Sequence, residues 1–286
     1  MAGITSDPFF RAMQLGAEEE AKKLGIDLTW TGSPTEYSPE SQIPFVDSSL
    51  ADQVDALILV PTDPDSLQPS VVKAVGLGIP VITVDTTVTD QSQLTSFITG
   101  DNIQGGALAA STLAEQIGGE GEVFIMSGSP TTTTNTQREK GFRDELAANF
   151  PKVKVVGIEY AQSQPAKATS AVNTAILNFP DLKGIFAIDG TSGTGTVAAL
   201  QNSGKVGEIK LVGYDAYPNQ VAELEAGTFS ALIAQDPGQE ARLALQFAKA
   251  AVTGEQKDQI QQSVVIPSVV MTKDNLNETR KYQYAE

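Results

Sequence analysis

The chain contains no histidine and no cysteine. The first absence removes Ser-His-Asp triads, the second removes thiolate nucleophiles, and together they remove zinc sites of the usual nitrogen and sulfur kind. Only carboxylate, hydroxyl or amine chemistry is left, and neither a metal nor a cofactor is expected. Lack of cysteine also excludes a disulfide-stapled scaffold but leaves the compartment open, since such a chain tolerates oxidising and reducing surroundings alike. Basic residues are in deficit: 19 Lys and Arg against 35 Asp and Glu give a formal charge of −16. Nucleic acid is a poor partner for such a chain, because a phosphate backbone is bound by neutralising it with Lys and Arg. Long hydrophobic runs are missing as well. Ala56–Val60 is typical of the longest, far below the ~20 residues a membrane helix needs, so no segment is expected to insert in a bilayer.

What is present suits a globular protein. With 286 residues and 41% hydrophobic content, the chain is long enough for about two domains, each with its own core. Short β-branched runs alternate with amphipathic stretches, the pattern of βαβ units and parallel sheets. Strands are predicted over Ile26–Trp30, Asp55–Val60, Ile79–Asp85, Ser96–Thr99, Glu122–Ser127, Val153–Tyr160, Gly184–Asp189, Ile209–Asp215, Ser230–Gln235 and Ser263–Met271. Several are apolar on successive residues, as strands covered on both faces are. Phe9, Met13, Ala17, Ala21 and Leu24 recur at helical spacing before Gly25, which places a helix over Pro8–Leu24 with Asp7 as its cap. Further helices fit Gln104–Ile117, Arg138–Asn149, Ala166–Asn178, Thr194–Ser203, Asn219–Ala226 and Pro237–Val252, with Gly32–Pro39 and the Thr-rich Ser129–Thr136 read as loops. Only Ala2–Thr5 precedes the first helix, so a leader and several residues of the first strand are expected to have been removed, the alternative being a genuinely short first strand.

In open α/β sheets, ligands bind beyond the carboxyl ends of the strands. Here those ends are repeatedly acidic, with Asp85, Asp189 and Asp215 closing three predicted strands and Asp7 standing before the first helix. Asp is also a favoured helix cap and turn residue, so each one has a purely structural reading. Four together favour an acceptor-rich cleft, and Asp7 is the weakest case because Pro8 follows it in the first helical position. Phe9 and Phe10 open the same helix, where one ring could stack on the apolar face of a sugar and core burial is the competing account. Arg138 is read at the start of a helix, where a cation is unfavourable, which hints at a ligand or carboxylate partner. The glycine-rich Asp189-Gly-Thr-Ser-Gly-Thr-Gly lacks the Lys-Ser/Thr ending of a phosphate loop and the glycine order of a dinucleotide site. No segment has the spacing of an EF-hand calcium loop.

Taken in order, Asp7-Pro-Phe-Phe, Gly16-Ala, Leu24-Gly, Pro61-Thr-Asp, Ile79-Pro-Val-Ile-Thr-Val-Asp85, Gly100-Asp-Asn, Arg138-Glu-Lys-Gly-Phe142, Val212-Gly-Tyr-Asp215 and Ile233-Ala-Gln235 resemble the periplasmic sugar-binding proteins of ABC importers, ribose-binding type. Each motif alone is weak, whereas the ordered set spans nearly the whole chain. The resemblance implies the type I periplasmic-binding-protein fold: two similar α/β lobes of doubly wound parallel sheet joined by three crossover strands, with a monosaccharide or polyol in the cleft. Breaks are implied near Asp101, Gln235 and Ser263, giving one lobe from 1–101 and 236–263 and the other from 102–235 and 264–286. Sugar contacts carry over to Asp7, Phe9, Phe10 and Asp85, with Thr86 beside it, and to Arg138, Gln162, Asp189, Asp215 and Gln235. Asp7 stands where the ribose binders have Asn, Thr86 where they have Arg and Val60 where they have Asn, and no aromatic occurs around Gln162–Gln164 to cover a second sugar face. The implied pocket is less cationic, which puts ribose itself in doubt, and Tyr160 or Tyr217 is left to supply the missing stack.

The implied role is a non-enzymatic, monomeric binding protein at the periplasm or the outer face of the membrane, delivering its sugar to a membrane permease. The alternative is the effector domain of a sugar-responsive transcription regulator without its DNA-binding headpiece. A glycosidase would need one protonated carboxyl beside an ionised partner, and the small polar surroundings of these Asp residues do not suggest that asymmetry.

Overall fold

A computed structural model describes residues 1–284, and the chain divides into two compact units. The first spans residues 1–100 and 236–266, the second 101–235 and 267–284. Residues 285–286, assigned from sequence to the second lobe, lie outside the described residues. The first unit opens with β1 (Ala2–Ile4), α1 (Pro8–Leu24), β2 (Gly32–Ser33), α2 (Pro39–Ala51), β3 (Leu57–Leu59), α3 (Gln68–Gly76), β4 (Val81–Val84) and β5 (Ser96–Gly100). The second follows with α4 (Asn102–Gln116), β6 (Gly121–Ser127), α5 (Thr133–Asn149), β7 (Val153–Tyr160), α6 (Pro165–Asn178), β8 (Leu182–Ala187), α7 (Gly190–Ser203), β9 (Lys210–Tyr214), α8 (Pro218–Ala226) and β10 (Ala231–Ala234). The chain then returns to the first unit for α9 (Pro237–Thr253) and β11 (Ser263–Ile266), and ends in the second with β12 (Val269–Met271) and α10 (Leu276–Thr279).

Both units are α/β with parallel ladders, as the alternation of patterns predicts. In the first, the order is β11-β5-β4-β3, and backbone bonds join Met1 to Ile58 and Val60, laying the β1–β2 pair beside β3. The second carries the order β12-β10-β9-β8-β6-β7, parallel except for the antiparallel edge strand β12. The core of the first unit gathers Val46, Leu57, Leu59, Val71, Val81 and Val88. That of the second gathers Leu113, Phe142, Phe186, Val212 and Tyr214, with Phe142 and Phe186 stacked at 4.7 Å. Each such side chain contributes about 1.5–3 kcal/mol on burial.

Helix α1 forms where its apolar spacing predicts it. Asp7 accepts from the Phe9 amide at 2.8 Å, Pro8 sits in the first turn, and Gly25 closes the helix in the left-handed conformation at φ 69°. Other boundaries differ for identifiable reasons. Ile26–Trp30, predicted as a strand, has no ladder partner, and only Gly32–Ser33 pairs, against the three-residue β1. Pro267 splits the predicted strand Ser263–Met271 into β11, parallel to β5, and β12, antiparallel to β10. Helices α2 and α3 were not predicted; α2 carries Pro44 in its interior, a residue that argues against helix in a sequence. The Thr-rich stretch is not all loop. Helix α5 starts at Thr133, because packing against the sheet overrides the weak helix preference of β-branched residues. Arg138 therefore lies beyond the first turn, and the expected clash with the helix dipole does not arise.

Two glycines let α4 and α5 approach closely enough to set that position. A Cβ on Gly106 of α4 would collide with the Arg138 carbonyl oxygen, and one on Gly141 of α5 with the Ile103 carbonyl oxygen. Both obstacles are backbone and cannot rotate away. Gly141→Ala is expected to lower the unfolding free energy by about 1–3 kcal/mol, the usual cost of overpacking. Urea denaturation checks this, and an unchanged midpoint would show that the helix pair has slack.

Candidate functional site

Three of the polar residues singled out in the second unit, Arg138, Gln235 and Asp215, join one buried chain of hydrogen bonds. Arg138 projects from α5 and is 3% exposed. Its Nε donates to Asn102 Oδ1 at 2.7 Å, Nη1 to the Ile188 carbonyl at 3.1 Å and Nη2 to Gln235 Oε1 at 3.3 Å. Beneath it, the Tyr214 ring centroid lies 3.7 Å from the guanidinium carbon, a cation–π contact of the desolvated kind. Gln235 passes the chain on, donating through Nε2 to Asp215 Oδ1 at 2.6 Å. Asp215 also accepts from Tyr284 Oη at 2.9 Å on Oδ1 and from the Gly190 amide at 2.8 Å on Oδ2. Burial raises the Asp215 carboxyl above its ordinary pKa, and nearby Asp189 adds to this. Arg138, Gln235 and Tyr284 pull the other way.

Asp189 belongs to the same neighbourhood but has a structural duty too. It caps α7 through the Ser192 amide at 2.8 Å, accepts from Thr191 Oγ1 at 2.8 Å, and receives Asn135 Nδ2 at 3.2 Å on its other oxygen. Beside it the Tyr217 ring covers Gly190 so closely that a Cβ there would strike it. Tyr217 and Tyr284 lie 5.8 Å apart, ring to ring.

In the first unit Asp85 follows β4, buried, with φ 61°. Its amide donates to the Ile98 carbonyl at 2.8 Å, and Thr99 Oγ1 donates to its carbonyl at 2.8 Å. Asp215 repeats this local geometry after β9, with φ 76° and its amide donating to the Ile233 carbonyl at 2.9 Å. Left-handed backbone costs a non-glycine residue about 1–2 kcal/mol, and Asp is among the few that visit it. Neither residue caps a helix: residues 86–95 are not helical, and the cap of α8 is Tyr217. The four acids thus separate into two caps, Asp7 and Asp189, and two strand-end turn residues, Asp85 and Asp215. Phe9 and Phe10 are both buried, edge to face at 5.3 Å.

The remaining candidates fall elsewhere. Thr86 is buried and its Oγ1 donates to the Pro61 carbonyl at 2.6 Å. Gln162 is exposed at φ 52° and its Oε1 accepts from Lys167 Nζ at 2.6 Å. Tyr160 lines an open groove of about 490 Å³ between β7 and α6 with Phe124 and Phe179, so of the two tyrosines it is Tyr217 that stands beside the acids. Sequence reasoning missed Asn135, hidden in the stretch read as loop, and Tyr284, whose separation of 69 residues from Asp215 leaves no local signal. Among the described residues no cluster of carboxylates has the geometry of a metal site. The buried Asp215 carboxyl and Arg138 guanidinium, joined through Gln235, are suited to a ligand carrying many hydroxyls, each able to donate and accept.

The chain is matched over residues 1–256 by the model of the periplasmic binding protein domain family. A solved structure of an ABC transporter solute-binding protein from Agrobacterium vitis, bound with alpha-D-tagatopyranose, superposes with a TM-score of 0.95. It is 32% identical, with 99% of this chain and 97% of that one covered. The ribose import binding protein of Bacillus subtilis is 27% identical over 94% of this chain and 84% of its own length. A xylitol-binding protein of Mycolicibacterium smegmatis is 29% identical, over 92% of this chain and 73% of its own length.

The raised carboxyl of Asp215 has a consequence for stability in the ligand-free protein. Between its unfolded pKa, about 3.9, and its higher folded value, the native state holds a proton that the unfolded chain has lost. Its contribution is therefore fully present below the unfolded value and is lost as pH rises through the folded one. Wild type should gain stability relative to Asp215→Asn, which cannot titrate, as pH falls from 7 toward 4. Urea titrations across that range check it; a pH-independent difference would mean the carboxyl is not raised.

Proposed function

The chain belongs to the periplasmic binding protein family, and we propose that it is the solute-binding component of an ABC importer, taking up a neutral monosaccharide or polyol at the periplasm or outer membrane face. It hands that solute to a membrane permease and performs no catalysis itself. The observation that carries this reading is the buried line from Arg138 through Gln235 to Asp215, which offers a fixed donor and a fixed acceptor to neighbouring hydroxyls. The sugar and polyol named for the relatives support the same ligand class. Arg138, Asp189, Asp215 and Gln235 form the sugar-contacting set of the second unit, with Tyr217 as its aromatic face. Asp7, Phe9, Phe10 and Asp85 form that of the first. Thr86, whose Oγ1 donates to the Pro61 carbonyl, and Gln162, whose Oε1 accepts from Lys167, complete the sets of the first and second units.

Neutrality of the ligand follows from charge. In the second unit Asp189 and Asp215 outnumber Arg138, and a buried carboxylate opposes a further negative group. A sugar phosphate should not bind. A thermal-shift screen over pentoses, hexoses and polyols identifies the ligand, since a compound at 100 times its dissociation constant stabilises the fold by about 2.7 kcal/mol. Asp85→Ala and Asp215→Ala are each expected to weaken the identified sugar at least tenfold, because removing one partner of a buried charged set costs about 2–5 kcal/mol. Calorimetric titration with parallel melting curves reads this out. Normal affinity in both variants with depressed melting would make these acids structural and the site assignment wrong.

A further inference from the structure

Beyond β12 the chain runs through α10 and a 3-10 turn over Arg280–Tyr282 to Gln283 and Tyr284. This tail is fastened along its length. The Thr272 amide donates to Asn275 Oδ1 at 2.8 Å, Asn275 Nδ2 donates to the Val270 carbonyl at 2.9 Å, and Arg280 pairs with Glu225 of α8. At its end the Tyr284 amide donates to the Ala216 carbonyl at 2.9 Å, and the side chain is 4% exposed. Packing beside Tyr217 explains a ring at this position, but a phenylalanine would pack as well. What the ring does not explain is the hydroxyl, which reaches Asp215 Oδ1.

An ionised carboxylate offers about four lone-pair positions. Gln235 and Tyr284 occupy both on Oδ1, and the Gly190 amide takes one on Oδ2. Among the described residues a single position on Oδ2 is left without a donor. We propose that Tyr284 is a positioning and specificity-determining residue of the sugar site: its hydroxyl fixes Asp215 as an anion in one orientation and restricts it to one ligand hydroxyl, accepted on Oδ2. The specificity half rests on the sugar-binding reading above; the positioning half does not.

The titratable and charged groups acting on Asp215 are Arg138 from α5, Asp189 before α7, Tyr214 at the end of β9 and Tyr284 from the tail, with Gln235 and the Gly190 amide as its further hydrogen-bond donors. Burial and Asp189 favour the protonated acid, while Arg138, Gln235 and Tyr284 favour the anion. Loss of the Tyr284 hydroxyl removes one of the latter and leaves the rest in place, so the carboxyl must titrate at higher pH.

The test compares the full chain as wild type, Tyr284→Phe and Arg280→Gln, the last loosening the tail without touching Asp215. Carbon NMR follows the Asp215 carboxyl in the ligand-free proteins, and calorimetry follows D-ribose, D-tagatose and xylitol between pH 5 and 8. Tyr284→Phe should raise the carboxyl titration and bind the best of the three about tenfold more weakly at pH 7, the scale of losing one hydrogen bond to a charged group. Its loss of affinity on acidification should begin at higher pH than in wild type, with Arg280→Gln following wild type throughout. Identical carboxyl titrations in wild type and Tyr284→Phe would overturn the proposal, as would an affinity loss of equal size at every pH. Should wild type bind none of the three, the sugar reading loses its support, and the ligand-free carboxyl titration still decides whether Tyr284 positions Asp215.

Discussion

One buried guanidinium organises the second unit. A charge taken out of water is tolerated only when hydrogen bonds and counter-charges replace its hydration, and Arg138 meets that demand with Asn102, the Ile188 carbonyl, Gln235 and the Tyr214 face. Each partner comes from a different stretch of chain: the start of α4, the end of β8, the residue after β10, and β9. The requirement to satisfy Arg138 therefore fixes the carboxyl ends of three strands relative to α4 and α5. The same requirement explains the glycines, since Gly106 meets the Arg138 backbone itself and a side chain there would push the guanidinium out of register.

Asp215 is the electrostatic counterpart, and it is held in an unusual way. Its backbone leaves β9 in the left-handed region, a conformation that turns the side chain off the strand and away from the capping role Asp most often has at such junctions. Asp85 does the same after β4 in the other unit. Non-glycine residues at positive φ cluster at functional sites because the surrounding structure must over-determine them. Both units keep this strain at a strand end, on an acid and beside a neighbouring-strand carbonyl.

Much of this was legible from sequence. The αβ alternation gave the fold class, and β7 and α1 lie over the predicted residues because Val153–Tyr160 is a bounded β-branched run and α1 has both a cap and a glycine stop. Asp189 and Asp215 stood out because strand ends can be read from local pattern, whereas Arg138 stood out through a helix start that in fact lies at Thr133, and Gln235 only through the family resemblance. Helices depending on tertiary packing were not readable: α2 contains a proline and the first turn of α5 is threonine and asparagine. Nor could the pattern separate capping acids from turn acids. That distinction rests on φ and on where the next helix begins, neither of which the sequence around Asp85 or Asp215 reveals. Tyr284 stayed hidden for a different reason, as its partner is fixed by the path of the tail across the sheet edge.

Arg138 and Asp215 are the donor and acceptor proposed for the sugar. A structure of the protein loaded with its best-binding sugar tests this most directly. The predicted result is a ligand with one hydroxyl on Asp215 Oδ2 and another oxygen on the Arg138 guanidinium, both within about 3 Å, the range of charge-assisted hydrogen bonds. A sugar bound with neither residue in contact would contradict it.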